Sequence, residues 1–144
     1  MTVDTKNMIF VFGSNLAGIH GAGAAAYAKT HLGAAMGMGV GRTGQCYAIP
    51  TKAAKVIGGK AYVGDTLPIE VILPFVHEFI DYACNNPHLH FQVTQIGCGL
   101  AGLKAEDIAP LFGTAPANCW FDSGWQQIFD EQFFGRTFRY WGTF

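Results

Sequence analysis

The apolar positions fall into short continuous runs separated by glycine-rich stretches. Met8 to Phe12 (MIFVF) is apolar on both faces and stops at Gly13, which predicts a central strand buried on both sides. Ser14 to Gly23 is read as a loop. Ala24 to Leu32 is alanine-rich and predicts a helix that stops at Gly33. Gln45 to Pro50 predicts a second strand. Between Leu67 and Cys84, apolar residues at Ile69, Ile72, Leu73, Val76, Phe79, Ile80 and Ala83 keep helical spacing, with Thr66 as the expected cap and Pro74 as a kink. His90 to Ile96 alternates and predicts a strand. Lys104 to Phe112 predicts a short helix and Asn118 to Phe121 a last short strand. The aromatic stretch after Asp122 predicts a helix and then an extended piece packed back on the domain. Thr51 to Gly64 has no clear period and is left unplaced.

Strands alternating with helices predict an α/β fold, and 144 residues suit a single domain over 1–144, with 113–144 as its aromatic-rich C-terminal extension. Half the residues are hydrophobic and 13% are charged, enough for a packed core and too few charges for a disordered chain. The formal net charge is −1 and there is no Lys/Arg run, so neither a nucleic-acid duplex nor an anionic membrane surface is an expected partner. Neither a secretory leader pattern nor a membrane-length apolar run is seen, so a cytoplasmic protein is expected. Four cysteines at 46, 84, 98 and 119 form no CxxC pair, and His88 and His90 have no third ligand spaced to join them. Neither metal nor cofactor is expected.

The 19 glycines change the picture, because many of them cluster where a strand meets a helix. The first cluster runs through Gly13, Ser14, Asn15, Gly18, His20, Gly21, Ala22 and Gly23. Small residues there let backbone N–H groups of a helix N-terminus approach a phosphate. The spacing fits neither GxGxxG nor a P-loop. The second cluster, Gly97, Cys98, Gly99, Leu100, Ala101 and Gly102, also follows a strand and precedes a helix. Ligands of α/β sheets sit at the carboxyl ends of strands, so two such loops form a candidate diphosphate clamp. Thr51 and Lys52 stand at the end of the strand that closes with Pro50 and are candidates for the same crevice. Asn15, whose amide both donates and accepts, and His20 are the candidate polar side chains, for ligand contact or for catalysis. Carboxylates are scarce near both loops, so the acid/base pair of most hydrolases is not visible.

Phe12 to Gly23, Tyr47 to Lys52 and Ile96 to Gly102 together resemble a bacterial and phage family of macro-domain-like proteins, over about residues 8 to 112. The resemblance implies a three-layer fold with a mixed, mainly parallel sheet between helices, and a crevice for ADP-ribose or another NAD-derived nucleotide. It implies that Asn15 contacts the distal ribose, that Gly18, His20, Gly21 and Gly23 wrap the diphosphate, and that Gly97 to Gly102 is the second phosphate loop. The early aspartate that binds adenine in such domains has no clear counterpart, and the paired glutamates of poly-ADP-ribose glycohydrolases are absent. Three readings stay open: a nucleotide-binding or sequestering module that also hydrolyses its ligand or does not, an ADP-ribosyl hydrolase acting on a modified macromolecule, and an interaction protein that assembles as a homo-oligomer through its aromatic tail.

Overall fold

A computed structural model describes residues 3–143; Met1, Thr2 and the terminal ring of the aromatic tail, Phe144, lie outside the described residues. The chain is α/β. The strands are β1 (Ile9–Asn15), β2 (Gly41–Thr43), β3 (Cys46–Ile57), β4 (Lys60–Thr66), β5 (Phe91–Val93), β6 (Cys119–Asp122) and β7 (Arg139–Gly142). The helices are α1 (Gly23–His31), α2 (Ile69–Asn85), α3 (Ala105–Ile108) and α4 (Gln126–Gln132), with 3-10 turns at 109–112 and 123–125. Six strands stand in the order β2-β3-β1-β5-β6-β7, and β4 pairs with β3 off that path. β1 is parallel to β3 and β5, β5 to β6, and β6 to β7, whereas β2 and β4 run antiparallel to β3.

β1 occupies the centre because both of its faces are apolar. Phe10 and Phe12 point to one side, where they pack with Ala25 and Ala28 of α1, Ala34, Cys46 and Ala48. Ile9 and Val11 point to the other, into a larger cluster with Tyr47, Ile49, Phe79, Phe91, Val93, Phe112, Phe121, Trp125 and Phe129. Helices therefore cover both faces of the sheet. The first face is filled by alanines and brings α1 close. The second is filled by rings: Phe121 lies 4.8 Å from Phe129, 5.9 Å from Phe112 and 5.9 Å from Phe138 between centroids. The segment from 119 to 142 thus supplies two sheet strands and much of the core, and the Trp141 indole N–H donates to the Val93 carbonyl at 2.9 Å.

Several element bounds differ from the sequence expectation, each for a physical reason. β1 continues three residues beyond Phe12, because Gly13, Ser14 and Asn15 stay in register with Ile49, Pro50 and Lys52 of β3. β3 does not stop at Pro50; it runs to Ile57 and folds back through Gly58-Gly59 onto β4, so the unplaced segment is a β-ribbon. Thr66 does not cap α2. It ends β4, and its hydroxyl donates to the Ala101 carbonyl at 2.7 Å, while Pro68 takes the N-cap position without a side-chain cap. α2 is one 17-residue helix that runs through Pro74. β5 is only three residues long, because beyond Val93 the backbone leaves the ladder: the Ile96 N–H turns back to the Thr94 carbonyl at 2.8 Å. His88 lies in the turn that precedes β5 and His90 in the irregular residue just before that strand, neither in a strand. No helix among the described residues is long and apolar enough to cross a membrane.

Two outcomes test this packing. Phe121→Ala should lower stability by about 3–5 kcal/mol, and Phe134→Ala, at a ring 95% exposed, should stay within about 0.5 kcal/mol. Urea denaturation checks both. Stability should also fall with alkaline pH. Burial pushes the Cys119 thiol from 9.0 up to about 12 and the Tyr47 phenol from 10.0 up to about 12, the latter helped by the Glu78 charge. Raised folded pKa values mean that the unfolded chain loses these protons first. The stabilisation is complete below about pH 9 and is lost as pH rises towards 12, so the urea midpoint should drop across that window.

Candidate functional site

A cleft of about 630 Å³ opens at the carboxyl ends of β1, β5 and β6 and beside the middle of β3, within the range of about 300–1,000 Å³ usual for small-molecule sites. The first glycine cluster gives it Gly13, Ser14, Asn15, Gly21, Ala22 and Gly23; the second gives Gly97, Cys98, Gly99, Leu100 and Ala101; β3 gives Thr51 and Lys52. The fold thus brings most of the sequence-predicted residues onto one concave surface.

The two loops contribute backbone donors. α1 starts without a side-chain cap and with no acidic residue in its first turn. The first intrahelical bond is accepted by Ala22, from the Ala26 N–H at 3.1 Å, so the N–H groups of Gly23, Ala24 and Ala25 find no partner among the described residues. Across the cleft, the second loop closes on itself through Cys98 N–H to Gln95 O (3.1 Å), Gly102 N–H to Gly99 O (3.0 Å) and Leu103 N–H to Gly97 O (2.8 Å). The N–H groups of Gly99, Leu100 and Ala101 take no part in these turns and have no partner among the described residues. The loops meet at the rim, where a Cβ on Gly23 would touch the Leu100 side chain at 3.7 Å.

Side chains hold the first loop open. Asn15 uses both ends of its amide on one residue: Nδ2 donates to the Ile19 carbonyl at 2.8 Å, and Oδ1 accepts from the Ile19 N–H at 3.0 Å. One Nδ2 hydrogen and one Oδ1 lone pair stay available on a residue that lines the cleft. The Ser14 hydroxyl donates to Gly39, and the Thr51 hydroxyl donates to the Ser14 carbonyl at 3.3 Å. Gly18, with φ +68°, packs against the backbone of Gly37 and Met38, where a Cβ would collide.

Gly18, His20 and Gly102 are not brought to the cleft. His20 is buried behind the loop. Its Nε2 lies 3.0 Å from the Ala35 carbonyl and 3.1 Å from the Met38 carbonyl, so that nitrogen carries the proton, and its ring meets Phe12 edge-on at 5.4 Å. It stitches the first loop to the 35–38 turn. This placement commits Nε2 to two backbone carbonyls, while Nδ1 is buried with no hydrogen-bond partner among the described residues.

The sequence reading missed Ile19, Ala24, Ala25, Val63, Thr94, Gln95, Ile96 and Asp122, all of which line the cleft. Asp122 is the one carboxylate among these lining residues. It is buried at the end of β6 and accepts from Gln95 Nε2 (3.1 Å), the Gly124 N–H (2.8 Å) and the Thr143 hydroxyl (3.3 Å). Its signal was its place directly after an apolar strand, but only the sheet order puts β6 beside β5. Lys52 is half-buried and supplies the cationic side chain of the lining. Burial pushes the Cys98 thiol up, which the Trp125 indole N–H opposes and the Glu106 and Asp122 charges reinforce, so the group is a neutral thiol at neutral pH and no ready nucleophile. No cluster of three or more His, Cys, Asp or Glu side chains suited to a metal ion stands together among the described residues.

No family model, no curated protein and no solved structure matches the chain.

A pair of glycine substitutions separates scaffold from site. Gly18→Ala should cost more than about 1 kcal/mol, because a side chain there meets both a positive φ and a backbone. Gly99→Ala, where nothing lies within 4 Å of the added carbon, should leave the thermal midpoint unchanged. Differential scanning calorimetry of the two variants checks the contrast.

Proposed function

We propose that the protein is a macro-domain-like module that binds an ADP-ribose-type or other NAD-derived nucleotide, with the diphosphate between the first turn of α1 and the second glycine loop. One observation carries this reading. Two sets of backbone N–H groups with no partner among the described residues, Gly23 to Ala25 and Gly99 to Ala101, border a single cleft at strand ends. Unpaired N–H groups at a helix start, together with its dipole, favour a bound anion, and two facing sets suit two linked phosphates.

The rest of the lining supports the same ligand class. The remaining donor and acceptor of Asn15 suit a sugar hydroxyl beside the phosphates. Lys52 adds a positive charge without turning the cleft into a basic groove of the kind that binds nucleic acid. Holding the nucleotide is favoured over cleaving it. The Cys98 thiol is held neutral, the His20 N–H is taken, and Asp122 is fixed by three donors. Sequestration of an NAD-derived signal follows naturally from such a site. Assembly through the aromatic tail has less to work with, since Trp125 and Phe129 are buried in the core of one chain and, among the described residues, Phe134 is the fully exposed ring.

Titration calorimetry with ADP-ribose should give saturable heat. Gly99→Glu and Gly21→Glu, each placing a carboxylate against the phosphates, should weaken binding about 100-fold or more. The ligand recovered after long incubation should have unchanged mass. An absence of heat across a panel of NAD-derived nucleotides overturns the reading.

A further inference from the structure

Gln95 and Asp122 both line the cleft and are bound to each other. Asp122, at the end of β6, is 1% exposed, whereas Gln95, just past β5, is an exposed side chain. Gln95 Nε2 donates to Asp122 Oδ1 at 3.1 Å, and the same oxygen accepts from the Gly124 N–H at 2.8 Å. The Thr143 hydroxyl, just past β7, donates to Asp122 Oδ2 at 3.3 Å. The carboxylate is thus fixed by backbone and tail, and the Gln95 amide is fixed to the carboxylate. A glycine completes the seat. A Cβ on Gly124 would collide with Gln95 Nε2, although Gly124 has no positive φ. The close approach of the amide, and not a turn, is what glycine serves at this position.

A carboxylate accepts hydrogen bonds and does not donate them. Only the nitrogen end of the Gln95 amide can face Asp122, so the amide is barred from turning end for end. One Nε2 hydrogen and the Oε1 oxygen have no partner among the described residues. The charge on Asp122 disfavours a phosphate beside them and suits a neutral group. A donor and an acceptor held in fixed order match a group that presents an acceptor and a donor in the complementary order. Adenine does so with a ring nitrogen and its amino group, the pair that a glutamine amide reads. Hypoxanthine and guanine carry a carbonyl in place of that amino group, which sets acceptor against acceptor. A glutamine free to turn over serves either kind of base; one pinned by a carboxylate does not.

We infer that Gln95 reads the base of the ligand and selects adenine over 6-oxo purines, and that Asp122 is the positioning residue that sets this choice by holding the amide. The inference rests on the diphosphate reading above and adds the residues that choose the base. Asn15 stands at the end of β1 and Asp122 at the end of β6, two strands away in the sheet. That separation suits a ligand whose diphosphate lies between a sugar and a base.

Titration calorimetry compares ADP-ribose with its deaminated counterpart, in which hypoxanthine replaces adenine. The unaltered protein should bind ADP-ribose about 10-fold or more tightly than the deaminated nucleotide. Gln95→Met should bring the two affinities within about twofold of each other, by weakening ADP-ribose alone. Gly124→Ala should do the same while the circular-dichroism spectrum stays that of the folded protein, because its methyl group pushes the amide off Asp122 and frees it to turn over. Equal affinities for the unaltered protein, or discrimination that survives Gln95→Met, overturn the inference and leave the diphosphate reading standing. Discrimination lost in Gln95→Met but kept in a folded Gly124→Ala overturns the role given to Asp122. If neither nucleotide binds the unaltered protein, the diphosphate reading falls and this inference falls with it.

Discussion

The clamp that Asn15 places on Ile19 is the interaction on which the site depends. Its amide engages the carbonyl and the N–H of one residue four positions on, and so it closes the turn between a buried strand and a helix. With the turn closed there, α1 begins without a side-chain cap, and its first-turn residues line the cleft. The loop behind is fixed from the other side by Ser14 on Gly39, by Gly18 against Gly37 and by His20 on two carbonyls of the 35–38 turn. Donors held in place before a ligand arrives lose little entropy on binding. That is why side chains with no exposure to the cleft matter to its chemistry.

The two faces of the sheet divide the labour. Alanines at 25, 28, 34 and 48 fill the α1 face and let the helix lie close to β1. Rings fill the opposite face, where close packing without voids gives rigidity. The strand ends that form the cleft floor are thus backed by the ring-filled layer, while α1, whose first turn lines the cleft, lies on the alanine layer.

Much of this was legible in the sequence where local physics decides the outcome. An unbroken apolar run announced the central strand, an alanine stretch ended by glycine announced α1, and glycine clusters at strand ends announced both loops. What was not legible depends on partners distant in sequence. The persistence of β1 through Gly13 to Asn15 is set by β3, which a reader of the chain cannot pair in advance. The ribbon lacked a clean period because it lies outside the core and needs no buried stripe. Asp122 and Val63 join the cleft only through the order of strands. His20 sits in a glycine loop, which favours the reading of a ligand contact. The buried space behind that loop, and the carbonyls waiting there, come from residues fifteen and eighteen positions away.

β3 has one further consequence. Its first half is a structural beam inside the sheet and its second half a free-standing arm, and the change of register between Lys52 and Ala54 marks the joint. Such irregularities bend a strand and increase its local twist. The arm beyond residue 53 is paired with β4 alone, while Thr51 is anchored to Ser14 within the sheet. One continuous strand thus supplies the cleft with Thr51 and Lys52 and carries the partner strand that lends it Val63.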